Sequence, residues 1–461
     1  MERERMGLGS CIFSGFLVLI ALALLIQLVF YGLAKVELRE VQAKLGVLKS
    51  EGMPVTWTDL AAAPQPAATN GATYYLEADA ALKFEADEEN MLADVPKQAL
   101  EGKLDAEALG KARASLERHH KALALIARGN QQPRTVFPIN WEDGMKVSFA
   151  HLTKLRKLAR VQAAQTVVLA AEGKPDAAMA SFQEGVKLET ASSEERTLIT
   201  QMVRIAIQEI ALRSLEASLK LSTPSKSALK KAYDSLGETG ELGGMVQAFE
   251  GERAFGLANF EDIRSGKLDL GELQGMGSDS SGWLSSISRP SSFSPTGWLF
   301  AKDENYYLDV MGAQIEQIQK YVENPAQAPS LADQPEREAP WFAILTRIIM
   351  PVYSRAVDKG LDTLAHINCA RVALAALAYR QETGQLPGSA AQIEARLGWD
   401  LPDDPATGEP LKLVKQGDKL VIQSERLIEQ RVPSQPPEHR TPDGRPLKPV
   451  EEPITFSVPA R

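Results

Sequence analysis

Cysteine is almost missing from this chain: 461 residues carry two, Cys11 and Cys369. Cys11 belongs to an N-terminal apolar run and Cys369 to a predicted helix far downstream, so no disulfide framework is expected to hold the fold. Cys369 reads as a small buried apolar residue. Histidine is scarce too, with five in all. His119 and His120 are adjacent on a polar helix, where neighbours point about 100° apart, which suits a solvated surface better than chelation; His151, His366 and His439 are isolated. His-Glu-x-x-His, paired-cysteine, P-loop and Gly-x-Ser-x-Gly motifs are all missing. No catalytic residue, cofactor-binding residue or metal ligand is therefore assigned, and the chain is not read as an enzyme. A basic excess is lacking as well: 51 Lys and Arg stand against 60 Asp and Glu, a net charge of −9, which argues against a nucleic-acid partner. Aromatics make up only 6%, and the abundance of alanine favours close-packed helices over sheets.

The most informative absence is local. Residues 6–34 contain no charged side chain. A bilayer core is roughly 30 Å thick and a helix rises about 1.5 Å per residue, so about 20 apolar residues span it. The expected partner of residues 11–34 is thus a lipid bilayer. Three forms of this segment are open: a retained signal-anchor, a signal peptide cleaved after Ala34 in the Gly32-x-Ala34 pattern, and a prepilin-type leader cut between Gly15 and Phe16. The prepilin form would ordinarily carry Glu where Ile20 stands. Arg3 and Arg5 precede the run, whereas Lys35, Arg39, Lys44 and Lys49 follow it. Cation counting alone would keep the body inside. The downstream cations are spread along an amphipathic helix, however, and a short N-terminus before a large body is the usual signal-anchor layout. An inner-membrane, single-pass protein with a periplasmic body is expected.

Beyond the span, residues 35–50 continue as an amphipathic helix, a stalk ended by Gly52 and Pro54, and 61–69 read as an Ala/Pro linker. Helices are predicted over 73–84, 104–128, 145–171, 175–188, 193–221 (with Ser193 at its start), 225–236, 240–264 and 303–322, with 87–90 an acidic loop. Residues 133–141 read as an extended aromatic segment packed under the helices. Gly173, Ala178, Phe182 and Leu188 fall at spacings resembling the second half of a tetratricopeptide repeat, although Gly185 stands where such repeats usually have Ala and no 34-residue period follows. A single helical hairpin and a longer solenoid both remain open. Residues 266–296 are rich in Gly and Ser and read as a flexible loop; Trp283, Trp298 and Phe300 in or beside it are candidates for docking on the body. Acidic runs such as 85–89 read as solvated caps or loops. The set Glu250, Glu252 and Arg253 reads as surface charge, with a buried ion pair as the alternative. The apolar start of a helix near Trp341 is too short for a second span and contains Arg347. Pro351 is a candidate kink.

Residues 364–428 have a recognisable order. A helix carrying Ala370, Leu374, Leu377 and Tyr379 ends at Gly384-Gln385-Leu386-Pro387. A short helix over 390–397 follows, and then Asp403-Asp404-Pro405-Ala406-Thr407-Gly408-Glu409-Pro410-Leu411 leads into alternating runs at 411–414 and 420–422, joined by a turn at Gln416-Gly417-Asp418. Tyr379, Gly384, Pro387, Asp404, Pro405, Gly408, Pro410 and Leu411 together resemble the globular end of type II secretion pseudopilins and related uncharacterised bacterial envelope proteins. The resemblance implies a helix laid on a small antiparallel sheet. Some members of that family bind calcium near this turn; Asp403 and Asp404 are read here as turn caps, with no metal assigned.

The expected fold is mainly α: an N-terminal transmembrane helix, a multi-helix body with a tetratricopeptide-like hairpin, and a small C-terminal α+β element with a β-hairpin. The expected segments are an N-terminal tail (1–10), the span (11–34), stalk and linker (35–72), helical body (73–265), flexible loop (266–302), helical extension (303–363), pseudopilin-like module (364–428) and a disordered or surface-laid Pro-rich tail (429–461). Protein interaction or scaffolding with an unidentified protein partner is the expected role. A component of a type II secretion or type IV pilus-related assembly is the alternative.

Overall fold

Helix α1 (Glu2–Ser50) is continuous, so the apolar run and the amphipathic stretch behind it form one rod. The computed structural model describes residues 2–237, 243–268, 293–327, 340–429 and 451–459. The rod stops at Gly52, whose φ of 74° is left-handed. There the Met53 N–H reaches the Leu48 carbonyl at 2.9 Å and the Gly52 N–H that of Lys49 at 3.1 Å, the paired bonds of a glycine-terminated helix. The stretch read as a stalk packs against the body. Ala34 and Val41 are buried, and Val41, Leu45 and Leu48, spaced on one helical face, join a cluster with Leu308, Met311 and Ile315 of a distant helix. That helix, Pro295–Glu323, runs parallel to α1: Phe30 meets Trp298, Glu37 meets Asn305, and Lys44 meets Asp309.

Between these two rods lies a run of helices. Helix α2 (Gly71–Ala81) is capped by Asn70, whose Oδ1 accepts from the Ala72 N–H at 3.0 Å and the Val136 N–H at 2.9 Å. One side chain thus starts the helix and fixes the extended segment beside it; of Phe137, Pro138 and Trp141, all expected to pack under the helices, Phe137 and Trp141 are buried and Pro138 is exposed. Helix α3 (Glu88–Glu101) occupies what reads as an acidic loop and its sequel. Its apolar stripe of Leu92, Val95 and Ala99 is buried, but Pro96 in its interior masks the pattern. The predicted helix at 104–128 is two, α4 (Ala106–Arg118) and α5 (His120–Gly129), broken at His119. Residues Trp141–Lys146 form a 3-10 turn with Gly144 at φ 56°, which delays α6 (Ala150–Ala171) past its predicted start at residue 145.

Helices α6 and α7 (Pro175–Lys187) form the expected hairpin, turning at Gly173 with φ 73°. A Cβ at Gly185 would come 3.4 Å from the Gln162 side chain, an ordinary van der Waals contact between α7 and α6. Helix α8 (Leu198–Leu221) begins five residues later than predicted, because Thr197 rather than Ser193 is its cap; the Thr197 Oγ1 accepts the Thr200 N–H at 3.3 Å. Helices α9 (Lys226–Gly237) and α10 (Gly243–Ser265) follow. The helix parallel to α1 is α11 (Pro295–Glu323), eight residues earlier than predicted, with Ser294 accepting the Gly297 N–H at 3.2 Å and Pro295 in the first turn. Most of the Gly/Ser-rich stretch, Trp283 included, lies outside the described residues.

Helix α12 (Ile344–Thr383) runs through Pro351 and across the segment boundary expected between 363 and 364, and ends at Gly384 with φ 73°. From Cys369 to Ala378 nearly every side chain is buried. Its Ala356–Thr383 part is long and apolar enough to cross a bilayer, but 78% of its most apolar window is covered by protein. It is the central core helix. Around it pack α7, α8, α9, α13 (Ala390–Leu397) and the sheet. Strands β1 (Lys412–Gln416), β2 (Lys419–Glu429) and β3 (Glu451–Pro459) pair antiparallel in that order. β3 falls inside the predicted Pro-rich tail. Its Ile454, Phe456 and Val458 alternate inward and are buried, while Pro453 and Pro459 are tolerated because β3 is an edge strand of this sheet. Residues 430–450 of that tail lie outside the described residues.

Candidate functional site

The surface that departs most from an ordinary globular exterior is on α1. Phe16, Val18, Leu24, Leu28 and Val29 are each half or more exposed, and the Gly15–Ser50 part reaches a mean hydropathy of 2.7 with none of its apolar window covered. Water would charge roughly 25 cal/mol for each Å² of such surface. This helix is long and apolar enough to span a membrane.

Where that surface ends, aromatic rings begin. Phe30 lies 5.9 Å from Trp298, and Tyr31 stacks on Phe293 at 4.5 Å. The Lys35 ammonium sits 5.5 Å over Tyr31. Lys302 bridges Trp298 and Phe342 at 5.4 and 4.5 Å, and Trp341 beyond it is 72% exposed. Trp298 therefore docks on α1, at Phe30, and not on the body as expected; Phe300 does meet the body, packing on Phe260 at 5.1 Å. Sequence reading missed the row as a whole because its members come from α1, from α11 and the residues just before it, and from the turn that precedes α12. The hint was Trp298 and Phe300 beside the Gly/Ser-rich stretch.

One turn further out the contact becomes polar. Lys44 donates to Asn305 Oδ1 at 2.7 Å and also pairs with Asp309. Asn305 donates to Glu37 at 2.9 Å and Glu40 at 2.7 Å. Next to it, Asp303 accepts from the Leu345 N–H at 2.7 Å and from Thr346 Oγ1 at 2.6 Å. A carboxylate from α11 thus caps α12, and burial pushes it above the usual carboxylate range against those donors. Burial pushes Glu304 up to about 7, with Arg264 beside it opposing. Glu250 and Arg253 are buried as well, not the surface charge expected. Burial raises Glu250, offset in part by Arg253 and Arg196, and lowers Arg253.

The histidines do not converge. His119 is buried rather than solvated, against Phe84 and 3.8 Å from Glu88. Glu88 belongs to the acidic run expected to be solvated, yet it is buried and also pairs with Arg118. His120 is exposed, as expected. His151 meets Glu195 at 2.8 Å, and Thr200 donates to the same carboxylate at 3.0 Å. His366 meets Glu209 at 3.1 Å. Burial alone would raise Glu209, but His366, Lys359 and Thr363 bring it down to about 2. His439 lies outside the described residues. Among the described residues no group of three His, Cys, Asp or Glu is placed to hold a metal. Burial pushes the Cys369 thiol up to about 12, so it is no nucleophile at neutral pH.

At the C-terminal turn, Asp404 accepts from the Ala406 N–H at 3.0 Å, Ser424 Oγ at 2.6 Å and the Glu425 N–H at 2.7 Å. It ties the turn to β2. A shallow open depression lies between the start of α7 and residues 223–225, with Gln381 beneath. Its polar groups are engaged across it: Asp176 accepts the Ser225 N–H at 2.7 Å and Gln381 donates to the Pro224 carbonyl at 2.6 Å. Nothing there converges on a reacting atom. The candidate functional surface is therefore the apolar rod and its aromatic junction with the body. No protein-family model, no curated protein and no solved structure matches the chain.

Proposed function

We propose that the protein is a single-pass anchor of the inner membrane that holds a helical interaction or scaffolding body in the periplasm. The observation that carries this reading is the exposed apolar half of α1, continuous with a packed half locked to α11. The anchor and the body are thereby one rigid piece, as a protein that positions a partner at a membrane requires. The body is acidic and its cores are shared among many helices, which suits a wet compartment and surface recognition. The α6–α7 hairpin turning at Gly173, with Ala178 and Phe182 buried in α7, supports a tetratricopeptide-like reading of that element as a partner-binding pair.

Protease added to spheroplasts tests the topology. The body should be cleaved while a cytoplasmic marker stays whole; a body shielded until lysis overturns the periplasmic placement. Resistance to carbonate extraction tests the anchor.

A second reading has its own support. α12 packs along β2 and β3 and ends at Gly384, followed by the Asp404 turn into β1, the arrangement that the pseudopilin resemblance implies. If the protein joins a pseudopilin-like assembly, its intact mass should begin at Phe16. A retained Met1 rejects that reading.

A further inference from the structure

The geometry points to a second membrane contact, made by the body itself: Phe293 and Trp298 lie in the lipid headgroup layer beside α1, so the body rests against the bilayer instead of standing off it. This rests on the proposed insertion of α1. The uncharged run of residues 6–34 is centred on Ile20. Half of a roughly 30 Å hydrocarbon core corresponds to about ten helical residues at about 1.5 Å each. Phe30 and Tyr31 therefore fall at the edge of the hydrocarbon. Trp298 has its ring centroid 5.9 Å from that of Phe30, and Phe293 has its own 4.5 Å from that of Tyr31. The interfacial layer is itself about 6 Å deep on each side. Rings that close to Phe30 and Tyr31 share their depth.

The chemistry fits that depth. Indole and phenol rings favour the interface because one end is apolar and the other can hydrogen-bond. Phe293 is 53% exposed, a cost in water that a lipid surface removes. Cations rim the patch on the outer side: Lys35 over Tyr31 and Lys302 over Trp298, each with a stem long enough to keep its ammonium among phosphates. Because α11 runs parallel to α1, Asn305 and Asp309 follow on the wet side, where charge is tolerated. The order along α1 is apolar, then aromatic, then cationic, then ion-paired, the order in which a bilayer gives way to water, and α11 joins it at the aromatic step with Trp298. Trp341 continues the row outward through Phe342.

Full-length protein in phosphatidylcholine vesicles tests the contact. Flotation reports insertion. Lipids brominated near the headgroup end of the acyl chain then quench tryptophans at the interface, and aqueous iodide quenches those in water. Replacing Trp298 with Phe should remove a lipid-quenched component, and replacing Phe293 with Trp should add one; the pair of opposite changes guards against a variant that merely misfolds. A protein that floats while Trp298 emission responds to iodide, or to neither quencher, overturns the contact and leaves the anchor standing. A protein that does not float overturns the anchor and the contact together.

Discussion

Asn305 stands between opposite charges of the same helix: its Oδ1 accepts from Lys44 at 2.7 Å and its Nδ2 donates to Glu40 at 2.7 Å and to Glu37 at 2.9 Å. A neutral amide suits this place because it serves as both donor and acceptor. A carboxylate would repel the two glutamates, and an apolar side chain would leave all three charges without the bond. Asn305→Leu should lower stability by about 1–2 kcal/mol, since Lys44 can still reach water and Asp309. Hydrogen exchange should show the amides around residues 37–44 opening faster while those of α6 are unchanged. Equal protection in wild type and variant would mean that the apolar cluster alone holds α1.

Gly251 is a second point of close approach. A Cβ there would come 1.5 Å from the Arg196 carbonyl, a backbone atom that no rotamer change can move. At Gly256 the obstruction is the Tyr307 ring, 2.2 Å away at its hydroxyl. Gly251→Ala should therefore cost about 3 kcal/mol and Gly256→Ala less, as over-packing costs go. Urea midpoints rank the two, and the reverse order would contradict the contact.

Glu304 makes stability depend on pH in an unusual direction. Its carboxyl is pushed from 4.5 to about 7 by burial, with Arg264 opposing. The folded chain thus binds a proton that the unfolded chain has released, and stability falls as pH rises from about 4.5 through about 7. Glu304→Gln should flatten the urea midpoint over that window. If the midpoint of the variant falls as steeply as that of wild type, another group carries the effect.

Glu209 behaves oppositely. Held at about 2 despite its burial by His366, Lys359 and Thr363, it contributes stability above its ordinary value of 4.5 that is lost as pH falls through about 2. Removing His366 (His366→Ala) leaves a half-buried carboxylate facing one partner fewer, and should cost about 1–3 kcal/mol at neutral pH and flatten the loss of stability as pH falls from about 4.5 toward about 2, because the folded-state carboxyl moves back toward its ordinary value. A variant with unchanged acid unfolding would show that Lys359 and Thr363 suffice.

Phe456 tests the strand that sequence reading placed in a disordered or surface-laid tail. It is fully buried against the α12 core, so Phe456→Ala should cost about 3–5 kcal/mol. A neutral substitution by thermal melting is what an unstructured tail would give.

What was legible and what was not divide along a physical line. Features governed by neighbours in sequence could be read: the uncharged run of α1, the Gly52 stop, the Gly173 hairpin, the Gly384 stop and the Asp404 turn all depend on a few adjacent residues. Features governed by distant partners could not. Glu88 looks solvated until Arg118 and His119 fold over it, and Glu250 looks exposed until α10 is buried on both sides. Proline obscured two elements, α3 through Pro96 and β3 through Pro453 and Pro459, because its usual meaning as a breaker is overridden once a buried stripe or a sheet edge is available. The aromatic junction was half legible: Trp298 stood out, but its partner Phe30 was already explained as part of the span.

The parallel pairing of α1 with α11 also has a history in time. Glu37 and Asn305 are 268 positions apart, so a growing chain inserts its first helix long before the helix that will clasp it has been made. Until then Val41, Leu45 and their neighbours are bare, and closing so long a loop carries an entropic cost that rises only slowly with its length. The clasp can therefore close only after α11 has been made, and until then the face of α1 that carries Val41 and Leu45 lacks its partner.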